Sequence, residues 1–245
     1  TWLHSYVSQS EIANMGFAKE YHIWDAVSSP LCASFNVRKR SLLTKNWRAH
    51  IRYGMQNVPF VYEAYFRSIY MRGARITGDI TPSYAVLSEM DLKHLKRKIE
   101  RTGAKVRCVY LMREPFERCW SAVRMKLRKT QNALDDETVL RRSYATERFQ
   151  FRTRYEIVCQ KLLSVFSDDQ IYFGFYETMF DDGEITRLSN FLEIPPIYSH
   201  RETHFNVSPK SKQVSDQLRQ EIVEFYSDTY EYCFKKFPVT RRIWT

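Results

Sequence analysis

The most restrictive feature of the chain is the apolar run KVRCVYLM, residues 105–112, which stops at Arg113 and gives way at Pro115 to a helical pattern over residues 116–129. A run of this length and composition reads as a buried strand of the kind a parallel sheet uses. Passing from it into a helix within a few residues predicts a strand–helix unit. The alternation recurs. Residues 16–25 carry a short β-like segment out of a glycine turn, and residues 74–79 carry another that Pro82 keeps from continuing. Residues 169–177 form a further strand pattern. Helical spacing is read at the amino terminus, where Trp2, Leu3, Tyr6 and Val7 share a face. It is read again over 49–70 with a break near Pro59, over 90–101 up to Gly103, and over 147–166, 182–192 and 213–237. Residues 130–146 are polar and charge-dense and read as a surface loop or lid with a helical turn in it, and residues 199–215 as an irregular segment. No repeat, low-complexity tract or linker interrupts the pattern. The expectation is one domain spanning residues 1–245: an α/β fold with a parallel sheet flanked by helices on both faces.

Length and composition agree with that reading. A chain of 245 residues suits one undivided α/β domain, and 44% hydrophobic with 15% aromatic residues supplies a core, which excludes a disordered chain. Lys and Arg outnumber Asp and Glu by 38 to 28, a net charge of +10. That excess favours an acidic partner: a nucleotide, a sulfated or phosphorylated polymer, nucleic acid or a membrane surface. It is spread along the chain and does not choose among them. Cys32, Cys108, Cys119, Cys159 and Cys233 are odd in number, widely spaced and free of any CxxC pair. No disulfide framework or zinc site is expected, and reduced thiols of a cytoplasmic protein are the default. No apolar run approaches the length of a membrane span, and no signal peptide is visible.

Ligands of parallel α/β sheets bind beyond the carboxyl ends of the strands, and Arg113, Glu20 and Asp79 fall at such ends. Arg113 offers a planar fork suited to a phosphate, and Ser121 adds a hydroxyl. Arg118 and Ser121 stand three apart, so a helix brings them to one face. On spacing alone an Arg113–Glu117 surface pair and a helix-face serine account for the same residues equally well. Glu20, on the same footing, reads as a solvated partner of Lys19. His200 and His204 have i, i+4 spacing, but the HExxH order and a third ligand are missing, so no metal is expected. The run KHLKRKIER, residues 93–101, reads as a solvated helix face. Tyr62, Tyr65, Phe66 and Tyr70 read as core residues, some of which could line a cleft.

The stretch VYLMREPFERCWS, residues 109–121, resembles the 3′-phosphate-binding element of sulfotransferases, a strand followed by R-[DE]-P-x-x-R-x-x-S. The resemblance implies that Arg113 and Ser121 hold the 3′-phosphate of 3′-phosphoadenosine 5′-phosphosulfate (PAPS), with Arg118 in support. Four more stretches are similar to the same family in the same order. TWLHSYV resembles the end of its N-terminal loop K-x-G-T-T-x-L, which implies nucleotide contacts at Thr1 and Trp2 and a phosphosulfate-binding loop before Thr1. AKEYHIWD resembles the E-x-H-F-F-D segment of the heparan-type (Golgi carbohydrate) sulfotransferases, which implies Glu20 as catalytic base with His22 and Asp25 beside it. GDITPSY resembles their E-K-T-P-x-Y, and residues 171–194 their later strand, Y-E-D-L turn and helix. Lys210 and Lys212 fall where the family has a basic loop over the 3′-phosphate; a solvated loop before a helix is the equal alternative. Two departures stand out. Ile80 replaces a Lys that approaches acceptor and sulfate, and the family's paired cysteines are missing from residues 199–212. Both bear on the acceptor and neither on the nucleotide.

The resemblance implies a P-loop-like sheet and a sulfotransferase with PAPS as co-substrate, 3′-phosphoadenosine 5′-phosphate as product, no metal, and a hydroxyl acceptor such as a carbohydrate or other small molecule. Sulfuryl transfer needs an in-line nucleophile, a stabilised leaving phosphate and a carboxylate placed to take the hydroxyl proton. His22, two residues beyond Glu20, could bond the acceptor or the sulfate, and Asp25 could orient it. Two other readings compete. A P-loop nucleotide kinase would need G-K-[ST] and magnesium ligands, which the chain does not display. A non-catalytic basic module binding nucleic acid or an anionic polymer explains the charge but not the ordered motifs. The expected compartment is the cytoplasm, with a Golgi-lumenal catalytic domain lacking its anchor as the alternative.

Overall fold

A computed structural model of the chain describes residues 2–130, 135–199 and 214–244. Two parallel strands form the centre, β1 (Cys108–Met112) and β2 (Ile171–Phe175), in register from Cys108 opposite Ile171 to Met112 opposite Phe175. Alternation along β1 splits its side chains between the two faces. Met112 joins a core with Phe116, Trp120, Tyr155 and Phe175, onto which Tyr110 packs, while Val109 and Leu111 pack with Trp2, Tyr6, Tyr172 and Ile185. Gly174 stands in β2 because a Cβ there would lie 2.7 Å from the Tyr172 ring and 2.8 Å from Leu111 Cδ2.

The helices on the two faces follow from these clusters. On one side lie α6 (Pro115–Thr130), α9 (Tyr155–Val165), α11 (Asp216–Phe225) and α12 (Ser227–Lys236). The other face is covered by α1 (Trp2–Ser8), whose Trp2, Leu3, Tyr6 and Val7 are all buried, and by α10 (Asp182–Leu192). Tyr6 is tied to Ser189 of α10 by a hydroxyl–hydroxyl hydrogen bond. α5 (Glu89–Glu100) closes a third cluster with α9 and starts on a reciprocal Ser88–Asp91 capping box.

The sheet is smaller than the sequence predicts. Residues 16–25 and 74–79 form no regular strands; among the described residues a parallel bridge joins Ile76 to Ala13. For residues 16–25 the reason lies in the backbone around His22 and its partners. His22 has φ 53°, a left-handed turn that no strand accommodates, and side-chain acceptors take up the backbone donors around it. Residues 130–146 also differ from expectation. They include α7 (Asp136–Ser143), a helix that buries Val139 and Leu140 in the main core. The long helical patterns break where geometry demands it: α3 (Trp47–Asn57) and α4 (Val61–Met71) are separated by the left-handed Phe60, and α8 (Glu147–Thr153) and α9 by Arg154.

The exit from β1 is fastened to distant parts of the chain. The Arg113 carbonyl accepts from the Tyr155 hydroxyl at 2.8 Å, and the Glu114 N–H donates to Glu177 Oε1 at 2.8 Å. The buried Glu114 carboxylate accepts the Glu117 N–H at 2.5 Å, capping the first turn of α6, and also accepts the Tyr230 hydroxyl of α12. Burial pushes the Glu114 carboxyl up, partly offset by those donors. Among the described residues no helix is long and apolar enough to cross a membrane.

Candidate active site

The segment AKEYHIWD bends at Lys19, reverses at His22 and enters α2 (Trp24–Ser28). Its path begins at Gly16, with φ +75°, where a Cβ would collide with the Tyr21 and Tyr65 hydroxyls. The reversal is held from both sides. Thr81 Oγ1 accepts the N–H groups of Tyr21 at 3.1 Å and His22 at 3.4 Å, and donates to Asp79 Oδ1 at 2.5 Å. The Tyr84 hydroxyl donates to the other Asp79 oxygen. From α3, Arg52 Nε reaches the Tyr21 carbonyl at 2.8 Å and Gln56 Nε2 the His22 carbonyl at 2.7 Å. Asp79 is therefore a brace for this loop; burial pushes its carboxyl up to about 6.

The reversal brings three side chains into line. His22 Nδ1 lies 2.7 Å from Asp25 Oδ2, and Nε2 lies 3.3 Å from Glu20 Oε2. The ring stacks on Phe35 at 3.6 Å between centroids, nearly parallel at 5°. Burial pulls the imidazole pKa down, but the hydrogen bonds to Asp25 and Glu20 outweigh it and the net shift is upward. Glu20 moves the other way, lowered by its bond to His22 and by Lys19 against a burial effect that raises it. Exposure separates their roles. The Glu20 side chain is 35% exposed, with Lys19 Nζ 3.7 Å away, whereas that of His22 is 10% exposed and that of Asp25 is 0%. The arrangement can present a carboxylate to a solvent-side hydroxyl while a buried His–Asp pair fixes its orientation.

At the end of β1, Arg113 NH2 pairs with Glu117 Oε2 at 2.7 Å, and its guanidinium lies 4.5 Å from the Tyr176 ring centroid. Ser121 and Arg124 follow Glu117 at i+4 and i+7 on α6, so they share its face. Arg124, 4.4 Å over Trp120, is lowered first by burial, while Glu117 supports its charge and Arg113 opposes it. Arg118 points elsewhere, with NH1 2.9 Å from Thr153 Oγ1 of α8 and its guanidinium over Phe149. The structure thus brings Glu20, His22 and Asp25 together, sets Arg113 beside the Ser121 face, and commits Arg118 to the α6–α8 contact. Trp2 is buried at 6% exposure and its ring stacks on Tyr6. Thr1, Lys210 and Lys212, and with them His200 and His204, lie outside the described residues. Among the described residues no group of acidic, His or Cys side chains could hold a metal ion.

Sequence reading overlooked Thr81, Gln56, Arg124 and Arg152. Arg124 carried a signal, the i+7 spacing from Glu117. Thr81 and Gln56 act across distant segments that pattern cannot pair.

No family model matches the chain. No curated protein sequence matches it either. The fold is similar to the crystal structure of a sulfotransferase from Alicyclobacillus acidocaldarius, with a TM-score of 0.60, 18% identity, and coverage of 96% of this chain and 89% of that one. The chain therefore has a sulfotransferase-like α/β fold, mostly helical around a small parallel sheet.

Proposed function

We propose that this chain is a PAPS-dependent sulfotransferase acting as a single catalytic domain, with Glu20 as the general base. The observation that carries the reading is the Glu20–His22–Asp25 line: an accessible carboxylate, a histidine with both ring nitrogens engaged, and a fully buried aspartate behind it. Glu20 takes the proton of the acceptor hydroxyl as the new oxygen–sulfur bond forms. The bond from sulfur to the 5′-phosphate oxygen breaks, and its electron pair leaves with 3′-phosphoadenosine 5′-phosphate. His22, donating through Nε2, keeps one Glu20 oxygen in place so that the other faces the acceptor, and Asp25 fixes the ring from Nδ1. Little covalent help is needed in a transfer of this type; positioning and charge do most of it.

The nucleotide falls to Arg113 and Ser121. A guanidinium fork at a strand exit with a hydroxyl on the adjoining helix face suits a phosphate monoester. Arg113 is half-buried and already held flat against Tyr176, which limits the entropy lost on binding. Lys210 and Lys212 belong to the same proposal as closing cations. The acceptor is a hydroxyl compound, such as a carbohydrate or another small molecule. The test is transfer of label from radiolabelled PAPS to a panel of sugars, phenols and alcohols, alongside binding of PAPS, ATP and a short DNA duplex. Label should appear in a hydroxyl compound, and PAPS should outbind ATP. Preference for ATP or DNA over PAPS, with no labelled product, would overturn the reading.

A further inference from the structure

Arg152, on the inner side of α8, is a cation without a counter-ion among the described residues. Its guanidinium donates to the hydroxyl of Ser83 and lies 5.1 Å from the Phe151 ring centroid. Its Nε is buried without a hydrogen-bond partner. Among the described residues no carboxylate comes within ion-pairing distance of it, and the nearest charges include two of its own sign, Arg118 and Arg148. Glu20 lies within electrostatic range but makes no contact. Burial first, and then Arg118, make the charge harder to keep. A partly buried cation beside like charges costs stability, and such an arrangement is characteristic of a site that receives an anion.

The surroundings say which anion. Ser83 belongs to the single-turn segment Pro82–Val86, next to the Thr81 that braces His22. Cys32, also within range of Arg152, sits in the Pro30–Phe35 turn that supplies the Phe35 stacked on His22. These segments line the Glu20 side. The Arg113 end is lined instead by Glu117, Tyr176 and Arg124.

We propose that Arg152, with the exposed Arg148 at its mouth, holds an anionic group of the acceptor, so that the compound sulfated here is an acid carrying a carboxylate, sulfate or phosphate near its reactive hydroxyl. The proposal rests on the reading of Glu20 as the base. An acid bound in this way places its hydroxyl at Glu20 and supplies the missing counter-charge, and Ser83 adds a donor already aligned with the guanidinium.

The experiment has two arms. In the first, labelled PAPS is offered with matched acceptors, 4-hydroxybenzoate against its amide and methyl β-glucuronide against methyl β-glucoside. The acid of an accepted pair should have the higher kcat/KM, and Arg152→Gln should narrow the acid-to-neutral ratio by about 30-fold. A neutral preference, or an acid preference that survives Arg152→Gln, overturns the proposal. The second arm needs no turnover, so it separates failure here from failure of the transfer reading. Equilibrium dialysis with labelled inorganic sulfate should show a site that Arg152→Gln loses and Arg113→Ala keeps. Equal sulfate binding by wild type and Arg152→Gln overturns the anion site whatever the enzyme does. A sulfate site lost in Arg152→Gln together with a neutral acceptor preference assigns Arg152 to the transferred sulfuryl group and overturns the acidic acceptor. Circular dichroism checks the fold; should Arg152→Gln not fold, Arg148→Gln should shift both readouts in the same direction by less, and no shift counts against the site.

Discussion

His22 has its N–H, its carbonyl and both ring nitrogens engaged, on Thr81, Gln56, Asp25 and Glu20, before any ligand arrives. Arg113, at the exit of β1, rests its side chain on two neighbours it can exchange, a glutamate one helical turn away and an aromatic face. The contrast matches two kinds of work. A proton acceptor must be oriented when the reaction occurs, and orientation assembled beforehand costs nothing at that moment. A phosphate clamp must bind and then release product, so a cation that trades an intramolecular partner for a phosphate tempers affinity in both directions.

The largest expected effect tests the prearranged end. Glu20→Gln keeps shape and hydrogen-bonding reach but cannot accept the proton, so kcat for labelled sulfate transfer should fall by about 10²- to 10⁴-fold. PAPS affinity by equilibrium dialysis should stay near wild type. Unchanged turnover would remove Glu20 from the mechanism and turn attention to His22. Next in size is Arg113→Ala, which should weaken 3′-phosphoadenosine 5′-phosphate by about 2 kcal/mol, or roughly 30-fold, more than it weakens adenosine 5′-phosphate. Equal losses for the two nucleotides would mean that Arg113 does not read the 3′-phosphate.

A pH series sharpens the account of the His22 line. Glu20 is depressed below its ordinary 4.5, so its contribution to stability is present above 4.5 and is lost as pH falls through the lower folded value. His22 is raised above its ordinary 6.5, so its contribution is complete below 6.5 and is lost as pH rises through the higher folded value. The difference in Tm between wild type and His22→Gln should therefore be greatest between 4.5 and 6.5 and shrink on either side. A difference that does not vary with pH would show that the ring stays neutral. The smallest effect belongs to the exchangeable end. Glu117→Gln releases Arg113 from its pair, and since an i, i+4 pair of this kind is worth about 0.3–0.5 kcal/mol, the 3′-phosphate nucleotide should bind about twofold more tightly by calorimetry. Weaker binding would mean that Glu117 holds the guanidinium in its productive orientation.

The two ends were not equally legible in the sequence. The strand into Arg113 and the helix after it depend on neighbours a few residues apart, and the apolar run with Pro115 announces them. The Glu20–His22–Asp25 order was also visible, but the segment around it reads as a strand, because nothing local reveals that Thr81, sixty residues on, replaces the ladder at Tyr21. α7 was within reach: Asp135 caps it, acids fill its first turn and arginines its last. Its polar surface hid the two residues it buries. Arg152 reads as one more arginine on a charged helix, and only the lack of an ionic partner among the described residues sets it apart.

The Glu114–Tyr230 tie bears on the order in which the protein is made. Glu114 caps the helix that carries Ser121, yet its buried carboxylate depends on a hydroxyl 116 positions later in the chain. A nascent polypeptide that has already presented Glu20, Arg113 and Ser121 still lacks that support until α12 leaves the ribosome. Domains fold as units as their last elements emerge. Nucleotide recognition should therefore await the emergence of α12, and truncated translation products ending before Tyr230 should neither compete for the donor nor act on an acceptor.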